Sequence, residues 1–349
     1  MKKTLIAVAA LAATTAFAQN VTVIGTVDAT YRSTTVDYGN GTSGGQNAIG
    51  QNGSGTSNFT LVGTEDLGGG LKAIFNTEFD FNAGGQTTAI QNSTTTIEGP
   101  IGGGQLFVGL EGAFGSIKLG KPNSPTLTVQ GSRSAFGTKD GGRVGVATSA
   151  GIATSSGGSV MGTSVTRTAG SILYTTPNFS GFSAQLDYAP GAKTEAGIAE
   201  TGATTDIGAF YANGPIAAGV TRYTEAAAGA ASEKGLTSYY GSYNFGVAKV
   251  TLGGHQYKQD SAGIDNAGYG AAVDAPLSPA LTLSAHLVKV DDKAVADLDK
   301  TMMAVGLNYA LSKRTSTYVR YVSEKADNAT TAAQIKTGSE YLVGVRHNF

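Results

Sequence analysis

The sequence predicts an all-β chain, a transmembrane antiparallel up-and-down β-barrel of 16 strands. Segments of about ten residues in which apolar and polar side chains alternate recur from Val21 to Phe349, and a period of two belongs to a strand with unlike faces. The gaps between them are short and long by turns, as they are when tight turns occupy one rim of a barrel and loops the other. Past the first residues no apolar run approaches ~18 residues, so a membrane crossing would fall to strands, whose backbone groups are satisfied only if the sheet closes.

Met1-Lys2-Lys3 is basic, Thr4 to Thr15 is mostly apolar, and Ala16-Phe17-Ala18 puts small residues at the positions a signal peptidase reads. Residues 1–18 are therefore expected to be a cleaved signal peptide, with 19–349 as a single barrel domain. The apolar run is too short to span ~30 Å of hydrocarbon.

The first strand is expected over 21–32, followed by a long gap rich in Gly, Ser and Thr, 33–57. Strands 58–67 and 71–82 flank Gly68-Gly69-Gly70, which can turn tightly. The second of these has the clearest faces: Leu71, Ala73, Phe75, Phe79 and Phe81 share one, while Lys72, Asn76, Glu78 and Asp80 share the other. After the gap 83–103 come 104–111 and 116–122, around Gly112-Ala113-Phe114-Gly115, and then the longest gap, 123–166. Strands 167–176 and 181–189 meet at Pro177-Asn178-Phe179-Ser180, and 205–212 and 216–225 at Asn213-Gly214-Pro215. Phe245-Gly246 joins 236–244 to 247–258, and the gap 259–263 is brief for its side of the barrel. Strands 264–275 and 281–291 surround Ser278-Pro279-Ala280, and 302–311 and 314–324 surround Ser312-Lys313. The gap 325–339 leads to the last strand, 340–349. There Tyr341, Val343, Val345 and Phe349 align on one face, interrupted only by His347, and Gly344, Arg346 and Asn348 on the other. Sixteen strands with loops use the roughly 330 mature residues; eight would leave about half the chain idle.

Composition agrees. Fifty-one Gly, eight Pro and 14% charged residues argue against a compact helical enzyme, and recurring Tyr, Phe and Val argue against disorder. There is no Cys, so an exported chain of this size relies on a continuous hydrogen-bonded sheet and not on disulfides. The net charge is -1, and loss of Lys2 and Lys3 makes it -3, so no bulk attraction to nucleic acid is indicated.

Motifs of catalysis are absent in context. Gly115-Ser116-Ile117-Lys118-Leu119-Gly120-Lys121-Pro122 approaches a phosphate-binding loop, but Pro122 stands where a magnesium-binding hydroxyl belongs and no helix follows. Gly41-Thr42-Ser43-Gly44-Gly45 matches a nucleophile elbow only in letters, within a low-complexity stretch. His255, His286 and His347 lie on separate strands and read as polar wall residues, and Asp260 to Asp265 lacks the order of a calcium loop. No enzyme, cofactor or metal site is expected.

Thr60-Leu61-Val62-Gly63-Thr64-Glu65-Asp66-Leu67-Gly68-Gly69-Gly70-Leu71-Lys72-Ala73 resembles the second and third strands of general Gram-negative outer-membrane porins, in particular the beta-proteobacterial branch. Val21 to Ala29, Val108-Gly109-Leu110, Phe114 to Lys121, Pro177 to Gly181 and Arg346-His347-Asn348-Phe349 are similar to that family in the same order. The resemblance implies a homotrimer in the cell outer membrane, in contact with its lipid and lipopolysaccharide. Its third loop, here about Asn123 to Val165, would fold into the lumen and narrow it. Lys121 stands where the family places a pore Arg, and Arg167 resembles the family's Arg that opens the strand after the loop. Asn58, Val62 and Gly104 depart from positions where the family often has Arg, and the loop lacks the family's Pro-Glu-Phe acidic signature.

The expectation is a water-filled channel for passive diffusion of ions and small hydrophilic solutes, with weak anion preference. Its constriction would hold Lys121, Arg167, Arg133, Lys139, Asp140 and Arg143, its wall Lys72, Glu78 and Asp80, and Phe349 would be the assembly signal. The alternative is a barrel acting mainly as a surface adhesin or structural protein; that reading would lengthen many loops, whereas here the longest connection is the third.

Overall fold

The computed structural model describes residues 20–50, 53–81, 83, 103–142, 165–192, 200–229, 231–293, 299–331 and 334–349. The expected signal peptide and Arg143 lie outside the described residues.

The strands are β1 (Asn20–Tyr38), β2 (Ser43–Gly50), β3 (Asn58–Gly68), β4 (Leu71–Asp80), β5 (Leu106–Gly112) and β6 (Gly115–Lys121). A short helix, α1 (Pro125–Ser132), precedes β7 (Ser171–Thr175), β8 (Phe182–Ala189), β9 (Thr204–Asn213), β10 (Ile216–Glu225) and β11 (Lys234–Asn244). The remainder are β12 (Lys249–Gln259), β13 (Ile264–Pro276), β14 (Leu281–Asp292), β15 (Lys300–Ala310), β16 (Thr315–Ala326) and β17 (Ile335–Asn348). All pairings between named strands are antiparallel, and β17 returns to β1, with Thr26 opposite Asn348 and Arg32 opposite Leu342. The sheet is closed. On the other edge of β1, β2 takes the upper stretch (Thr30 opposite Gly50) and β3 the lower (Thr26 opposite Asn58). The 17 segments therefore make a barrel of 16 staves, with β2 and β3 sharing one.

The expected strands recur with shifted ends, except that 33–57 is not a loop throughout. β1 runs on to Tyr38, turns where Gly41 has φ 85° and Asn40 Oδ1 accepts from the Thr42 N–H at 3.1 Å, and returns as β2. The expected strand 167–176 is shorter, starting at Ser171 after Gly170, whose φ is 71°, so Arg167 precedes the strand.

The faces follow the alternation. Outward positions of central strands, such as Leu252, Val319 and Val343, are aliphatic and exposed. A Lys or Arg there would cost ~2–4 kcal/mol at a bilayer midplane. Aromatic pairs edge this band: Phe182 with Tyr211 (4.5 Å) and Tyr243 with Phe245 (4.6 Å) near the short turns, Phe59 with Phe79 (4.6 Å) and Tyr321 with Tyr341 (4.8 Å) nearer the loops. The opposite face carries Asp28, Arg32, Asp206, His255, His286 and Arg320. It is not uniformly polar: Val288, Val290, Met302, Ala304, Val322 and Leu342 share its register and form one buried apolar cluster with Val36, Ile335 and Phe136.

Candidate functional site

The longest connection begins as a helix for local reasons. Pro125 suits a first helical position, and Ser124 caps it, its hydroxyl accepting from the Leu127 N–H at 3.0 Å. Asp206 on β9 completes the cap: one carboxylate oxygen accepts from the Thr126 N–H at 2.9 Å and the other from its hydroxyl at 2.8 Å, placing negative charge at the positive end of the helix. Pro125, Thr126, Val129 and Gln130 form the buried side, as i and i+4 neighbours do.

From the helix the chain crosses the polar face from strand to strand. Arg133, only 2% exposed, puts Nη1 and Nη2 each 3.3 Å from Nδ1 of His255 on β12. Burial lowers its guanidinium to about 10, which still leaves it charged at neutral pH. His286 on β14 has Nδ1 3.0 Å from the Gly141 carbonyl, which can only accept, so that nitrogen carries the proton; the Ser134 hydroxyl lies 3.1 Å from it. The Phe136 ring seats in the apolar cluster with the Arg320 guanidinium 4.1 Å from its centre. Asp140, 3% exposed, meets Arg32 Nη2 at 3.1 Å, and its carbonyl accepts from Arg320 Nη1. Burial raises the Asp140 carboxyl above the ordinary carboxylate range, while Arg32, Arg320 and Lys139 pull it down. Val165, on the returning side, packs with Tyr223, Leu236 and Tyr257.

Glycines of the wall lie beneath this segment, and a Cβ on any of them would meet both the segment and, at 2.6–2.9 Å, the wall's own atoms. A Cβ on Gly208 would lie 3.0 Å from Pro125 Cβ, and one on Gly253 2.9 Å from Arg133 Cβ. On Gly219 and Gly306 it would lie 3.3 Å from Val129 Cγ2 and 3.2 Å from Phe136 Cε1. Replacing Asp206 by Ala should loosen the helix, because an abandoned buried donor costs ~1–3 kcal/mol. The folded barrel should then be cut faster by trypsin at Arg133 and Lys139; an unchanged cleavage rate would deny Asp206 its holding role.

The expected charges divide into groups. Arg167 lies at the root of the segment, donating from Nε to Asn123 Oδ1 at 2.7 Å and pairing through Nη2 with Glu78 at 3.6 Å. Glu78 (9% exposed) and Asp80 share one face of β4, and Lys121 ends β6, partly buried. Lys72 is apart from these: it is six residues, about 20 Å, down the strand from Glu78 and is exposed beside Glu111 at 4.0 Å. Arg133 and Asp140 are buried ties. Lys139 is half-buried and donates to Thr56 Oγ1. Sequence reasoning passed over Arg32, Arg320, Arg346 and Asp28, although the alternation puts them on the polar face. Of the three His, two hold the segment, while His347 is exposed on the outer face beside Thr315 Oγ1 at 2.9 Å.

A cavity of ≈ 670 Å³ opens between residues 135–139 and the polar faces of β14 to β17. Among the described residues its charged lining is Lys139, Arg320, Arg346 and Glu78, three cations to one carboxylate.

Comparison with known proteins agrees with the closed sheet. The family model for Gram-negative porins matches residues 4–329. The chain belongs to the Gram-negative porin family. This porin is 32% identical over 375 residues to outer membrane porin protein 32 of Delftia acidovorans, covering 100% of both chains. Among solved structures it superposes on an anion-selective porin from Comamonas acidovorans with a TM-score of 0.74 at 28% identity, over 95% of this chain and 100% of that one. It shares the fold alone with OmpT of Vibrio cholerae in its trimer form, with a TM-score of 0.65 at 14% identity over 95% and 100% of the chains. The porin is an outer-membrane β-barrel.

Proposed function

We propose that this porin is a water-filled channel for passive diffusion of ions and small hydrophilic solutes, weakly selective for anions and narrowed where the described part of the third loop, 123–142, folds into the lumen. The observation that carries the selectivity is the cavity lining, in which Lys139, Arg320 and Arg346 face one carboxylate, Glu78. Fixed charges beside a narrow passage act strongly because little water screens them. Lys121 and Arg167 add positive charge near the root of the loop. Arg167 is partly neutralised by Glu78, and Asp80 lies on the same face of β4 as Glu78. Arg133 and Asp140 act on the aperture indirectly, by holding the segment. The solved neighbour described as anion-selective supports the same sign. Assembly as a homotrimer, bedded in lipid and lipopolysaccharide, completes the reading; the same fold occurs in a trimer form.

Liposome swelling tests the channel reading. Vesicles holding the purified protein should swell in small sugars and progressively less in larger ones, and bilayer currents should close in three equal steps. Vesicles that do not swell would favour the adhesin reading, and single-step closure would deny the trimer.

A further inference from the structure

We propose that residues 53–57, the break between β2 and β3, form a second inward wall of the channel's narrow zone, and that Asp28 is the positioning residue that holds them there. The proposal rests on the channel reading. Along one edge of β1 the register passes from Thr30 opposite Gly50 to Thr26 opposite Asn58, a step of four positions on β1 against eight on its neighbour, and the described residues 53–57 fall within that step. A bulge that large must leave the wall. It leaves on the polar side: the Gly53 carbonyl accepts from Arg320 Nη1 at 2.7 Å, and the Ser54 carbonyl from Arg346 Nη1 at 3.3 Å. Thr56 Oγ1 accepts from Lys139 on the long segment. Ser54, Gly55 and Thr56 line the ≈ 670 Å³ cavity together with 135–139, so the two segments border one space.

Asp28 explains why the turn stays in place. It is 0% exposed, and its Oδ2 accepts from the N–H groups of Ser54 (3.0 Å) and Gly55 (2.9 Å). Its Oδ1 accepts from the hydroxyls of Thr30 (2.7 Å) and Tyr318 (2.8 Å), which fills the capacity of a carboxylate of about four acceptor sites. The Ser57 hydroxyl accepts from the Asp28 N–H at 2.9 Å and donates to its carbonyl at 3.1 Å, standing in for the ladder bonds the bulge interrupts. Such charge-assisted bonds to consecutive backbone N–H groups fix a loop's path better than neutral ones.

The chain has no Cys, so a single thiol can report on the turn. S54C protein in planar bilayers is treated with sulfonatoethyl methanethiosulfonate, with mass spectrometry to confirm labelling and S312C, on an exposed turn, as control. Labelled S54C should lose conductance in discrete steps and shift its reversal potential toward cations, while S312C does neither. D28N keeps the size of the side chain but replaces one accepting oxygen with a donor; it should give a folded barrel with altered conductance and more open-channel noise. A thiol at 54 that does not react, or reacts without changing the current, overturns the inward wall. A folded D28N channel with native conductance and noise removes Asp28 from its positioning role. If D28N does not fold, the S54C arm still decides the wall. Unlabelled native protein that forms no channels at all would instead sink the channel reading.

Discussion

Replacing Lys139 and Arg346 together by Gln will move the reversal potential of the channel toward cations, the largest change in selectivity expected from any two substitutions. Both line the cavity, and Arg346 has no carboxylate within ion-pair distance among the described residues, holding instead the Asn348 side chain at 3.2 Å and the Ser54 carbonyl at 3.3 Å. One unit charge ~5 Å from a permeating ion is worth ~0.8 kcal/mol in water, about fourfold in local ion density before screening. Two such losses should bring the anion-to-cation permeability ratio down several-fold. Lys121 and Arg167 together should do less, because Arg167 already faces Glu78 at 3.6 Å. If that pair shifts the potential more than Lys139 and Arg346, the narrowest point lies at the root of the loop.

Deleting Phe349 should lower the yield of folded, heat-modifiable barrel several-fold. The last residue closes the seam: its N–H donates to the Gly25 carbonyl at 3.0 Å, and its carbonyl accepts from the Gly25 N–H at 3.1 Å. Its ring lies over Gly25, where a Cβ would fall 2.5 Å from Phe349 Cζ. G25V should push the ring aside and act in the same direction, more mildly. Normal yield from the truncated chain would show that closure does not depend on the terminal aromatic.

The staves were legible because period-two alternation survives even in a glycine-rich chain. Where both faces are mostly small and polar there is little contrast to read, which is why β2, Ser-Gly-Gly-Gln-Asn-Ala-Ile-Gly, reads as loop in the sequence. Helix α1 was hidden for a related reason: Pro-Thr-Leu-Thr-Val-Gln-Gly-Ser is short and rich in β-branched residues, and its main supports are the Ser124 cap and a carboxylate 80 residues away, Asp206. The site was half legible. Alternation gives the face of Arg320 and Arg346 but not their depth, which depends on register around the whole barrel. Two signals could have shown where the long loop is seated: apolar Val288, Met302, Val322 and Leu342 on the polar register, and glycines at 208, 219, 253 and 306 beneath the segment.

The reversal potential of the unmodified protein across a potassium chloride gradient tests the central claim most directly. A constriction lined by Lys139, Arg320 and Arg346 against Glu78 predicts a potential of the sign set by chloride. It should shrink as the mean salt rises from about 0.1 M to 1 M and the screening length falls from ~10 Å to ~3 Å. A potential of the sign set by potassium, or one indifferent to salt, would contradict the account.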